Sequence, residues 1–149
     1  MNPKILLVYY SHTGRTAEIA RLISHTIGCD EEQLIPDSPI THNIYELRRR
    51  ILSRGIKTPS KIKPMTHDIT QYGAVILGMP VWENNIPAPM RSFLTATDWR
   101  GIKIHPFFST GGIYVSAYYK LCSICKGAAV ADPLYLVYDL NGRFLRMRE

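Results

Sequence analysis

The first 28 residues constrain the fold more than any other stretch of the chain. Residues 4–10 are an almost unbroken β-branched, aliphatic and aromatic run, the pattern of a strand buried on both faces. They lead into Ser11-His12-Thr13-Gly14-Arg15-Thr16, which is polar and carries a glycine. Ala17, Ile19, Ala20, Ile23 and Ile27 then recur at helical spacing, and Gly28 supplies a stop. A strand, a polar turn and a helix in this order open a βαβ unit.

The rest of the chain extends that pattern. Residues 31–35 read as a second strand. Residues 36–64 are polar and proline-bearing. They are helical only in the middle, where Asn43 and Glu46 have capping-box spacing and Ile44, Leu47 and Ile51 share a face up to Gly55. Residues 72–78 are a third strand, running into the loop 79–87, and Pro89 suits the first turn of a helix with Met90, Phe93 and Leu94 as its apolar face. Residues 102–108 are a fourth strand, followed by Ser109-Thr110-Gly111-Gly112 and a helix over 114–125. Two more apolar runs, 128–131 and 134–140, complete the set, and Asn141-Gly142 between strand-like arms signals a β-hairpin. Strands alternating with helices predict an α/β fold with a parallel sheet, and no repeat or linker divides residues 1–149, so one domain is expected.

Composition narrows the class. With 46% hydrophobic and 20% charged residues the chain has a globular, not a disordered, composition. No apolar run reaches the ~18–20 residues that span a bilayer, so no membrane helix is expected. Three cysteines are too few and too odd for a disulfide framework, and a reduced, cytoplasmic protein is the expectation. Cys122 and Cys125 have redox or zinc spacing, but they fall late in a helix and lack two further ligands, so they read as packing residues. The five histidines are scattered; only His12 sits where chemistry is expected, as a loop contact.

Three polar loops, 11–16, 79–87 and 109–113, each follow a strand, and open parallel sheets bind ligands beyond those carboxyl ends. In the first, Ser11, Thr13 and Thr16 offer hydroxyls, Gly14 lets the backbone approach closely, and the helix start offers N–H groups with partial positive charge. No Gly-Lys-Ser/Thr follows, so the loop suits a terminal phosphate monoester rather than a magnesium-bound triphosphate.

Ser-His-Thr-Gly-Arg-Thr after a first strand resembles the phosphate loop of the flavodoxins. Met79-Pro80-Val81-Trp82, then Pro87-Ala88-Pro89-Met90-Arg91-Ser92-Phe93-Leu94, then Phe107-Phe108-Ser109-Thr110-Gly111-Gly112 follow in the order of the short flavodoxin-like family, a likeness spanning about residues 4–127. The resemblance implies a doubly wound parallel sheet with strand order 2-1-3-4-5 and flavin mononucleotide (FMN) as cofactor. Ser11, His12, Thr13, Gly14, Arg15 and Thr16 would wrap the phosphate. Pro80, Val81, Trp82, Glu83, Asn84 and Asn85 would border the ring, with Trp82 against it, and Ser109, Thr110, Gly111 and Gly112 would form the other wall. Two departures stand out. Glu83 replaces a second Trp, with Asn84-Asn85 where a small glycine is expected, which changes the ring's surroundings. The family's closing helix is replaced here by strand and hairpin, so either an arm stands in its place or the chain is cut short; an arm with an exposed edge invites a homodimer.

The resemblance implies an electron-transfer protein. The alternatives are an NAD(P)H-dependent FMN or quinone reductase and a flavodoxin-fold module without flavin. The net charge of +6 taken alone hints at nucleic acid. Its distribution argues otherwise: Arg48, Arg49, Arg50, Arg54, Lys57, Lys61 and Lys63 fall within a segment that has no Asp or Glu, and the rest of the chain is nearly neutral. Such a patch suits an acidic redox partner protein, the extra phosphate of NADPH or a solvated face; nucleic acid, which rests on charge alone, is not the expected partner.

Overall fold

The computed structural model describes residues 3–38, 60–82 and 84–148. Strand β1 (Ile5–Tyr9) is interior to the sheet, and its alternating side chains enter two different cores. Leu6 and Val8 join Met90, Phe93, Leu94, Ala117 and Leu121, whereas Leu7 and Tyr9 join Ala17, Ala20, Phe107 and Leu136. Burial of each such aliphatic side chain contributes roughly 1.5–3 kcal/mol, so a strand this apolar is stable only with both faces covered.

The covering elements are helices α1 (Arg15–Ile27) on one face and α2 (Ala88–Ala96) and α3 (Val115–Ile124) on the other. Strands β2 (Asp30–Gln33) and β3 (Ala74–Pro80) flank β1 in parallel, and β4 (Lys103–Thr110) runs parallel beside β3. The strand order is thus 2-1-3-4 as expected, with the chain leaving β1 to one side and returning on the other. That reversal leaves a crevice beyond the carboxyl ends of β1 and β3.

The fifth strand is in two pieces, β5 (Ala129–Val130) and β6 (Leu134–Tyr138), both parallel to β4. Lys103 faces Ala129 but Phe107 faces Leu134, so the register slips by one residue around Pro133, which has no N–H to keep the ladder. Then β6 turns back into β7 (Phe144–Arg148), antiparallel and at the sheet's edge. Residues 134–148 are therefore the hairpin arm and not a helix. Its turn is closed by Asp139, whose carboxylate accepts from the N–H groups of Asn141 and Arg143 at 2.9 and 2.8 Å.

The helix expected around residues 43–55 lies outside the described residues, as do Arg48, Arg49, Arg50, Arg54 and Lys57. The chain on either side of that segment is pinned: Pro36 bridges Ile62 antiparallel, with Asp37 N–H to the Lys61 carbonyl and Lys63 N–H to the Ile35 carbonyl, each at 2.8 Å. Glu32 reinforces the join from β2. Its buried carboxylate accepts from the Thr66 hydroxyl at 2.7 Å and the His67 N–H at 3.0 Å, and lies 2.6 Å from His67 Nδ1. Burial pushes this carboxyl up, but those hydrogen bonds outweigh burial and hold it below its ordinary value.

Candidate functional site

The loop after β1 tightens before α1 begins. Gly14 stands at φ 95°, outside the range of ordinary side chains, and serves as the helix N-cap. The Ser11 hydroxyl accepts from the N–H groups of Gly14 and Ala17 at 3.1 and 3.2 Å, so Ser11 shapes the loop from within. The N–H groups of Arg15 and Thr16, in the first turn, have no intrahelical acceptor and add to the positive end of the helix.

Thr16 and Ser109 are both buried, and their hydroxyls meet at 3.0 Å. This bond ties the start of α1 to the end of β4 and brings the first and third loops together. Two hydroxyls carry two protons and the bond uses one, so a single proton remains to donate elsewhere.

The loop after β3 makes a tight turn in which Trp82 and Asn85 exchange backbone hydrogen bonds of 3.2 and 2.9 Å. Asn84 sits at φ 66°, the left-handed region that asparagine tolerates best among non-glycine residues. Helix α3 clamps the turn: the Ser116 hydroxyl donates to the Asn84 carbonyl at 3.0 Å, and Lys120 reaches the same carbonyl and the Asn85 side chain. At the loop's far end half-buried Arg91 donates to the Ile86 carbonyl at 3.0 Å, and burial lowers its guanidinium's affinity for its proton. The indole of Trp82 is held edge-on by Tyr10, with centroids 5.8 Å apart, and by His12 at 5.5 Å. Burial pushes the Tyr10 hydroxyl up to about 12, so it stays protonated against the indole.

The three loops converge on one cavity of about 230 Å³, lined by His12, Thr13, Arg15, Thr16, Pro80, Val81, Trp82, Ser109, Thr110 and Gly111. Of the other expected residues, Ser11 and Gly14 support the first loop, and Asn84 and Asn85 form the clamped turn. Gly112, whose N–H is held by the Thr110 hydroxyl at 3.2 Å, lies beneath the Tyr114 ring. Glu83 lies outside the described residues. Among the described residues no group of three or more His, Cys, Asp and Glu is placed to hold a metal.

The flavodoxin family's sequence profile matches residues 4–133. The chain belongs to the flavodoxin family. No curated protein sequence matches it. Among solved structures, this flavodoxin-family chain is 26% identical to a protein of Bacteroides eggerthii described as a flavoprotein. The match covers 91% of this chain and 89% of that one, with a TM-score of 0.81. A flavoprotein of Lactobacillus acidophilus, solved in complex with FMN, is 21% identical over 89% of this chain and 93% of its own, with a TM-score of 0.78. An NADH:FMN oxidoreductase in its apo form shares 13% identity over 90% and 75% of the two chains, with a TM-score of 0.55. The latter two likenesses establish the fold alone.

Sequence reasoning missed the residues that reach the site from afar. Ser116 and Lys120, four apart and so on one helix face, clamp the Asn84 turn. Tyr138, on the β6–β7 hairpin, is the other: its ring centre lies 4.9 Å from the Cζ of Arg15, a residue already expected in the first loop. The spacing of Ser116 and Lys120 was visible; nothing local joined Arg15 to Tyr138.

Proposed function

We propose that this chain binds FMN at the carboxyl end of the sheet and carries electrons between partner proteins. The observation that supports this most directly is the convergence of three loops on one cavity. Thr13, Arg15 and Thr16 at the start of α1 line it, and so does the Trp82 indole. A phosphate monoester suits the first group, where backbone N–H groups, the Thr13 hydroxyl and the Arg15 guanidinium can meet its charge. A flat apolar ring suits the second, where Trp82 and the 80–82 backbone offer a face and Ser109 to Gly112 a wall. FMN when bound supplies one- and two-electron redox chemistry; the chain's part is to hold the ring, shield it from water and keep Asn84 fixed beside it. The clamp by Ser116 and Lys120 favours a rigid ring pocket over one that rearranges.

Two further assignments belong to the same reading. The segment containing Arg48, Arg49, Arg50, Arg54, Lys57, Lys61 and Lys63 is a dock for an acidic redox partner protein, supported by its charge and its lack of Asp or Glu. The compartment is the cytoplasm, supported by the free thiols of Cys29, Cys122 and Cys125. Among the described residues no helix is long and apolar enough to cross a membrane.

The test is a titration of FMN with the apoprotein, followed by flavin fluorescence and the visible spectrum. Quenching to a stoichiometric end point, with electron transfer to an acceptor protein that weakens as salt rises, is the expected result. Absence of quenching would refute the flavin reading. Rapid, quinone-dependent oxidation of NADPH by the loaded protein would replace the carrier by a reductase.

A further inference from the structure

Arg15 occupies an awkward place. It is the first residue of α1, where the helix already presents positive partial charge, and a cation there is disfavoured. Its guanidinium is nevertheless built into the fold. The planar group lies over the Tyr138 ring, 4.9 Å from the ring centre, within the range of a cation–π contact. Its Nη2 rests against Gly142: a side-chain carbon at that glycine would lie 2.6 Å from it.

The hairpin keeps both surfaces in place. Tyr138 packs edge-on against Phe144, its register partner on β7, with ring centroids 5.7 Å apart. Gly142 stands at φ 80°, where a side chain is strained, and its N–H donates to the Asp139 carbonyl at 3.0 Å. A cation at a helix N-terminus, with no carboxylate paired to it among the described residues, lies over a ring on one side and against backbone on another, and lines the cavity of the phosphate-type loop.

We propose that the β6–β7 hairpin is a positioning element of the anion site: Tyr138 and Gly142 hold the Arg15 guanidinium at the cavity, aimed at a phosphate monoester dianion. This rests on the FMN reading given above. Tyr138 acts through Arg15 and touches no ligand itself. The hairpin thereby links the sheet's outer edge to the cavity, so its folding and the strength of phosphate binding are coupled.

The experiment compares FMN with riboflavin, which lacks the phosphate, by fluorescence quenching. It uses wild type, Tyr138→Leu, Tyr138→Phe, Arg15→Gln and the double variant Arg15→Gln/Tyr138→Leu. Tyr138→Leu should weaken FMN binding about two- to fivefold, the range an exposed cation–π contact carries, and leave riboflavin unmoved. Tyr138→Phe keeps the ring and should restore FMN binding relative to Tyr138→Leu. In the Arg15→Gln background the Tyr138→Leu change should cost nothing further. Equal losses for both flavins, a Tyr138→Leu loss that persists without Arg15, or an unchanged FMN affinity in Tyr138→Leu would each overturn the proposal. Failure of wild type to bind FMN would refute the cofactor reading, and the proposal with it.

Discussion

Thr16→Val separates the scaffold from the ligand contacts at this site. Valine matches threonine in shape and, as another β-branched residue, barely alters helix propensity, so the change removes one hydroxyl and little else. That hydroxyl is buried and bonded to Ser109 Oγ at 3.0 Å. Losing a neutral hydrogen bond costs about 0.5–1.5 kcal/mol, and leaving Ser109 buried without its partner raises the total to about 2 kcal/mol. For a domain of this length each kcal/mol lowers Tm by roughly 2–4 °C, so the apoprotein should melt about 4–8 °C lower. Ser109→Ala should behave similarly. The double variant should lose less than the sum, because with both hydroxyls gone neither group is left unsatisfied. FMN affinity should fall by less than about tenfold, since Ser109 keeps a proton that can turn towards the cavity. Differential scanning calorimetry of the apo forms, with FMN titrations of the same samples, reads both quantities. An unchanged apo Tm together with a collapse of FMN affinity would refute the reasoning, because the Thr16 hydroxyl would then serve the ligand and not the bridge.

Three other outcomes follow from the geometry. Thr13→Asp should abolish FMN quenching by setting a carboxylate against the phosphate dianion, while leaving riboflavin binding measurable; FMN affinity equal to wild type would remove Thr13 from the phosphate site. Glu32→Gln should cost on the order of 2 kcal/mol in denaturant unfolding at neutral pH. The Glu32 carboxyl is held below its ordinary value of 4.5, so its stabilisation is fully present above that pH and is lost as pH falls through the lower folded value; the gap between wild type and variant should close in acid, and a gap independent of pH would count against the latch. The Cys125 thiol, buried and pushed up to about 12, should resist alkylation in the folded protein near pH 8, while half-buried Cys122 reacts, as peptide mapping after iodoacetamide treatment would reveal. Equal labelling of the two would contradict Cys125's burial.

How much of this was legible in the sequence depends on the range over which each feature is encoded. The apolar run of β1 and its glycine loop, the apolar faces of α1 and α2, and the Asn-Gly hairpin each arise within a few residues, and each was read near its observed place. Their edges moved: β2 ends at Gln33 instead of Ile35, and β3 begins at Ala74 and runs on to Pro80. Ladder pairing sets those limits, and it depends on a neighbouring strand that local periodicity does not contain. The single-residue slip between β5 and β6 was invisible for the same reason, although Pro133 marks the spot.

The sequence by itself determined the succession of strands and helices, the family, and the three loops that bear hydroxyls, glycine and tryptophan. It placed those loops beyond strand ends, because a parallel sheet with helical crossovers puts them all on one edge. Only the tertiary structure decided what the individual side chains do there. Thr16 and Ser109, 93 positions apart, bond to one another. Lys120 and Ser116 hold a turn they do not adjoin in sequence, and Tyr138 on the hairpin receives the guanidinium of Arg15. The reason is physical: backbone patterning acts over one turn or one strand, whereas a hydrogen bond or a stacked cation needs two groups brought within a few ångströms, and only the folded sheet sets that distance.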